Sequence, residues 1–249
     1  MDTTKEEPDR ITMDGGIGFW GSIGGLVLIG ILTILPLKAV GAESAFDCGT
    51  IPCDEFAADP HDKASLQRGA RWYMNYCMGC HEASYSRYER VATDLEIPIE
   101  LAEQNLIFDD SKIGSLMTNA MDETLAKVWF GATPPDLTLV ARSRGPEWLY
   151  TYLLTFYDDP SRPWGANNLA FKDVGMPNVL LELQGAQKCL PNDEDEHGIC
   201  AHIEHVADTG TQSPEEFQQT IYDLTNYMTY MAEPAALERK RLGVYVLLF

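Results

Sequence analysis

The pentapeptide Cys77-Met78-Gly79-Cys80-His81 constrains this chain more than any other feature, because it fixes both a cofactor and the kind of domain that can hold it. Two thiols separated by two residues, with a histidine directly after, meet the requirement for covalent attachment of haem c. Each sulfur adds to one vinyl group of the porphyrin, and the adjacent imidazole sits under the iron as proximal ligand. A zinc ribbon needs a second close cysteine pair, and Cys189 and Cys200 stand too far apart to be one. A thioredoxin-like thiol pair follows a strand and opens a helix, and the histidine is then incidental.

The remaining four cysteines fall into two local pairs, Cys48 with Cys53 and Cys189 with Cys200. Paired cysteines suggest disulfides and an oxidising compartment, which suits a haem c protein. The 249 residues suffice for one sizeable domain plus membrane segments. Their net charge of −20 argues against nucleic acid as a partner and favours a cationic protein. An acidic surface that merely keeps the protein soluble is the plainer alternative.

Residues 15–37 carry no charge and are long enough to cross a bilayer. Val40-Gly41-Ala42 offers small residues of the kind cut by signal peptidase, so residues 1–42 read as a signal peptide or a retained N-terminal anchor. At the other end, Arg239-Lys240-Arg241 precedes an apolar run that stops at Phe249. Residues 234–249 read as the start of a membrane helix, truncated before it could cross. The basic cluster would place this end in the cytoplasm, but the haem motif and cysteine pairs weigh more, since charge only biases topology. The haem c domain is then residues 43–233.

Within it, residues 65–76 show helical spacing, with Asp62 or Ser65 as cap. Residues 97–126 read as short helical patterns, with Met117 and Met121 four apart on one of them. Pro134-Pro135 breaks any helix, and Asp136 is placed to cap the next. A further helix opens at Pro146 and runs through Tyr157, ended by Asp158-Asp159-Pro160. Residues 160–178 read as a long Pro/Gly/Asn-rich loop, and 189–210 as a polar insertion closed by a disulfide. Ser213-Pro214-Glu215-Glu216 is a capping box opening the last helix of the domain, which Pro234 ends. The fold class expected is mostly α: a cytochrome c-type haem domain with long loops.

A haem that only carries electrons needs its sixth position filled, and a methionine thioether is the usual partner of histidine. Most methionines here have packing explanations. Met176 differs, because Gly175-Met176-Pro177 lies inside the long loop, although packing stays open for it too. His61, His197, His202 and His205 are rival ligands, and His202 with His205 could also hold zinc.

Several longer stretches then line up: RGARWYMNYCMGCH, YSRYERVATDLEIP, WFGATPPDLTLVARSRG, FYDDPSRPWGANNLAF and VGMPNVL. Over residues 60–249 the chain closely resembles cytochrome c1, the haem subunit of the ubiquinol–cytochrome c reductase, in its proteobacterial form. The resemblance implies Cys77 and Cys80 as attachment sites, His81 as proximal and Met176 as distal ligand, and Arg144 as partner of a haem propionate. It implies one covalent haem c, and cytochrome b and Rieske iron–sulfur subunits as neighbours. It further implies a cytochrome c as electron acceptor, and a bacterial inner-membrane location with the haem domain on the periplasmic side. The Cys189/Cys200 insertion resembles one in bacterial members, while the Cys48/Cys53 pair matches nothing in the family pattern. Two other readings of the residues stand beside it. One is a membrane-anchored mono-haem cytochrome serving a terminal oxidase. The other is a haem enzyme or gas sensor with an open iron site.

Overall fold

The structure is a computed structural model that describes residues 47–49, 51–190 and 200–249. The apolar run at 15–37, the cleavage site after Ala42 and the acidic run at Asp193 to Glu196 lie outside the described residues.

Helix α1 (Lys63–Trp72) starts where the Asp62 carboxylate accepts from the Ser65 amide at 2.9 Å. It passes directly into a π-helical turn, Tyr73–Cys77, closed by the Met78 N–H donating to the Tyr73 carbonyl at 3.0 Å. Such turns mark functional positions in helices. This one carries the chain off the helical register just where Cys77 must leave it, and the Cys80 and His81 amides then both donate to the Cys77 carbonyl. The expected helix is therefore α-helical only to Trp72.

Strand β1 (Ala83–Arg87), α2 (Tyr88–Asp94) and α3 (Ile99–Asn105) follow, then β2 (Leu116–Met117), which pairs antiparallel with β1. Met117 is thus a buried strand residue and not a helical one, and Met121 lies ahead of the Asp122 cap of α4 (Glu123–Phe130). Helix α5 (Val140–Arg144) and α6 (Pro146–Leu154) come next, with Pro146 in the first turn as expected. Helix α6 stops at Leu154 instead of Tyr157 for a tertiary reason. The side chains of Gln184 and Gln187 both donate to the Leu154 carbonyl at 2.9 Å, and Gln187 also reaches the Phe156 carbonyl. The chain that follows becomes β3 (Phe156–Asp158), paired antiparallel with β4 (Ala166–Asn168), a strand inside the expected loop. After α7 (Leu181–Gln184), β5 (Gln187–Cys189) runs parallel to β3, and β6 (Ile203–His205) pairs with β5. Both expected disulfides are formed, Cys48–Cys53 and Cys189–Cys200.

Helix α8 (Pro214–Ala232) organises the core. Its capping box is complete: Ser213 Oγ accepts from the Glu216 amide, and Glu216 Oε2 accepts from the Ser213 amide. Leu66 and Ala70 of α1 and Tyr73 of the π-helical turn pack with Ile221, Leu224 and Tyr227 of α8. The two helices cross at Gly69, where an added Cβ would lie 2.1 Å from the Asp223 carbonyl oxygen and 2.6 Å from Tyr227 Cβ. A two-pronged ion pair beside the crossing, Arg68 Nε and Nη2 on the buried Asp223 carboxylate at 2.6 and 2.9 Å, fixes the register. Helix α9 (Ala236–Leu248) follows, with Arg239 paired to Glu233 and its apolar side chains exposed. Among the described residues no helix is long and apolar enough to cross a membrane.

Candidate functional site

A cavity of about 370 Å³ opens between the π-helical turn, the Pro134–Leu137 segment, α6 and the loop after β4. Cys77, Cys80 and His81 line it together with Met176 and Arg144, so the five residues singled out in the sequence meet in one place. Its walls are apolar, built from side chains such as Leu137, Val140, Leu149 and Val179.

The proximal side is held by backbone. His81 Nδ1 lies 2.8 Å from the Pro135 carbonyl oxygen. A carbonyl can only accept, so Nδ1 carries the proton and Nε2 keeps its lone pair. Burial pushes the imidazole pKa down, against the opposing pull of the Pro135 carbonyl and Asp136. Asp136 does not cap α5. Its Oδ2 accepts from the Ser84 amide and hydroxyl at 2.7 and 2.6 Å, and its Oδ1 accepts from the Thr138 amide at 2.9 Å. The Leu137 amide also donates to the Glu82 carbonyl. The Pro-Pro-Asp segment is thereby fastened to the residues just after His81. The signal was in the sequence, but its spacing also fits a helix cap, and only the fold brings Ser84 to it.

Cys77 and Cys80 are free thiols, whereas Cys48, Cys53, Cys189 and Cys200 are in disulfides. Burial, with a smaller contribution from Cys80, pushes the Cys77 thiol up to about 12, so it is neutral at physiological pH.

In the same lining, Met176 is half-buried, and the Tyr152 hydroxyl donates to its sulfur at 3.4 Å. Burial alone raises the Tyr152 pKa well above the ordinary phenol value, so it stays a donor. Sequence reasoning missed Tyr152, because nothing in its position on α6 points to a loop 24 residues on. Arg144 is exposed at the cavity edge, its guanidinium 5.2 Å from the Trp148 ring centre and 6.0 Å from that of Phe171. It is the one formally charged side chain in the lining among the described residues. Of the rival histidines, His61, His202 and His205 do not line the cavity, and His205 Nε2 lies 2.9 Å from the Gln184 carbonyl oxygen, while His197 lies outside the described residues. No group of three metal-binding side chains occurs among the described residues.

The residues fit a covalently held haem. Two thiols and an imidazole, the latter oriented from behind, share an apolar cavity with a thioether, and a lone cation stands where carboxylates could reach it.

A family model described as the cytochrome C1 family matches residues 54–249. A cytochrome c1 of Allochromatium vinosum is 51% identical over 193 residues, covering 77% of this chain and 79% of that protein. A protein of Nitrosomonas europaea named ammonia monooxygenase gamma subunit is 42% identical over 201 residues, covering 80% and 81%. A cytochrome c1 of Rhodospirillum rubrum is 26% identical, covering 76% of each.

Proposed function

Since this chain belongs to the cytochrome c1 family, whose members bind one covalent haem c, we propose that it is the haem subunit of a quinol–cytochrome c reductase. In that role it relays single electrons from a Rieske iron–sulfur subunit to a cytochrome c. The observation that carries the reading is that Cys77, Cys80, His81 and Met176 line one apolar cavity. A site that offers both an imidazole and a thioether, which together would hold the iron, suits electron carriage better than a sensor or oxygen-activating enzyme, which needs an open position. When bound, the haem supplies a one-electron ferric–ferrous couple.

The chain's own residues do the rest. Cys77 and Cys80 tether the porphyrin edge, and Pro135 holds the imidazole of His81 in its orientation. The apolar walls exclude water, and Arg144 neutralises a propionate. Tyr152 withdraws electron density from the Met176 sulfur through its hydrogen bond, which makes the thioether a weaker donor and favours the ferrous state. Tyr152→Phe is therefore expected to lower the midpoint potential by roughly 20–60 mV, the equivalent of one net hydrogen bond of about 0.5–1.5 kcal/mol. Potentiometric titration checks it, and an unchanged or higher potential refutes the role.

Helix α9 with its exposed apolar residues supports membrane attachment at the C-terminal end, with the haem domain on the periplasmic side. The two disulfides support that side, since they persist in oxidising compartments. The net charge of −20 supports a basic acceptor. Two carboxylates of the acidic stretches also have structural duties. Glu216 completes the α8 cap. Burial pushes the Asp159 pKa up, but hydrogen bonds from Ser161 and Asn167 outweigh this and hold it below the usual carboxylate range. The second-order rate of electron transfer to a basic cytochrome c should fall roughly 10-fold or more from low to high ionic strength. A flat rate removes the steering role.

The reading as a whole is tested by affinity purification of the tagged chain from membranes. Recovery with cytochrome b and an iron–sulfur subunit is expected. Recovery with oxidase or monooxygenase subunits instead would assign the chain to another complex, as the name of the Nitrosomonas relative invites.

A further inference from the structure

The Cys48–Cys53 clip lies outside the residues that the family model matches, which begin at 54, and no step above uses it. Its surroundings give it a task. Cys48 is 2% exposed and packs into the main core together with Ala170. Gly49 sits at φ +72°, where its missing Cβ would lie 2.7 Å from the Leu169 carbonyl oxygen and 3.2 Å from that of Ala170. Leu169 itself is buried with Tyr157 and Cys200, and Ile51, Cys189 and Ile203 pack on that group. Gly49 of the clip thus abuts residues 169 and 170, and the Cys189–Cys200 bridge packs in the same group as Leu169.

The strand of chain after the clip is anchored independently. The Asp54 amide donates to Thr151 Oγ1 at 2.7 Å, and Phe56 lies between the rings of Tyr150 and Tyr222. Asp59 exchanges two hydrogen bonds with the buried Asn226 side chain. The clip therefore presses from a fixed base.

From residue 170 the loop leads to Met176 through a short chain of hydrogen bonds. Asn168 Oδ1 accepts from the Ala170 and Phe171 amides at 2.9 and 3.0 Å, while its Nδ2 donates to the Tyr152 carbonyl at 2.7 Å. Asn167 Oδ1 accepts from the Asp173 amide at 2.9 Å. Val174 is buried beside Phe156 and Ala166, with Tyr152 and Met176 packed on them.

We propose that the Cys48–Cys53 clip and Gly49 are positioning residues for the distal side: they seat the 168–176 loop so that Met176 is kept at the iron. This rests on the reading of Met176 as distal residue. Opening the clip restores freedom to a short segment that otherwise blocks displacement of Leu169 and Ala170. The loop then leaves its seat more often, while the proximal side, held by Pro135 and Asp136, stays as it was.

The test uses the full-length, haem-loaded protein carrying Cys48→Ser together with Cys53→Ser. Hydrogen exchange at the Ala170, Phe171 and Asp173 amides is expected to quicken severalfold, up to the roughly thirtyfold that the loop-entropy model gives for so short a closure. The fraction of reduced protein that binds carbon monoxide should rise in step, with haem still covalently attached and far-UV circular dichroism unchanged. Exchange and carbon monoxide binding both equal to the parent protein overturn the proposal. Should the double variant fail to fold, Gly49→Ala keeps the bridge and forces the same contact. Dithiol treatment of the parent protein, with alkylation mapped to Cys48 and Cys53 and absent from Cys189 and Cys200, opens the bridge without mutation, and the same two results decide. Met176→Leu separates the two readings. If that variant stays closed to carbon monoxide, the distal assignment fails, while amide exchange still judges the clip.

Discussion

Met176→Leu is expected to leave the haem bound to Cys77 and Cys80 through acid–organic extraction, yet to make the reduced protein bind carbon monoxide. Leucine keeps the volume and apolar character of methionine but has no lone pair, so the sixth position loses its ligand without a cavity opening in the loop. The side chain packs with Tyr152 against Val174, and that packing survives the exchange. Loss of the thioether removes the bias toward the ferrous state. The midpoint potential should fall on the order of 0.1–0.3 V, a sizeable part of the roughly 0.8 V over which axial ligands tune haem proteins. Redox titration and a carbon monoxide difference spectrum read both effects. An unchanged potential with no carbon monoxide binding would mean that another residue fills the position.

Gly69→Val should cost the helical core heavily. The added Cβ would overlap the Asp223 carbonyl oxygen at 2.1 Å, and that oxygen is backbone of α8, not the end of a yielding side chain. The helices must separate, and Leu66, Ala70, Ile221 and Leu224, all 0–1% exposed, lose contact together. A loss of about 3 kcal/mol or more is expected. For a domain of this size that lowers the melting temperature by roughly 6–12 °C. Because α1 runs directly into the turn that carries Cys77, the yield of haem-loaded protein should fall as well. Gly79→Ala, inside the attachment motif itself, is the contrast. A Cβ there meets nothing within 4 Å, and its effect should stay within about 0.5 kcal/mol. Thermal melts of the two variants side by side check the pair.

The attachment motif, the two disulfide pairings, the capping box of α8 and the proline start of α6 were legible in the sequence, because each rests on residues close together in the chain. Cys77, Cys80 and His81 are spaced by the porphyrin's own dimensions, and Ser213 finds Glu216 within a single turn. The family resemblance added Arg144 and strengthened Met176, and both line the cavity with the motif.

What the sequence could not give were features set by partners far along the chain. Helix α6 ends at Leu154 because Gln184 and Gln187 claim its last carbonyl, so Tyr157, expected to be helical, lies in a strand. Asp136 has the spacing of a cap but serves Ser84, 52 residues away, and so ties the segment holding His81 to the haem motif. Tyr152 gained its place against Met176, and Gly49 its place against Leu169, only when the chain folded back on itself. Local spacing marked the thiols and the histidine of the attachment motif. Tertiary packing decided what aims them, because a hydrogen bond or a close approach across 24 to 120 residues leaves no periodic trace in the chain that makes it.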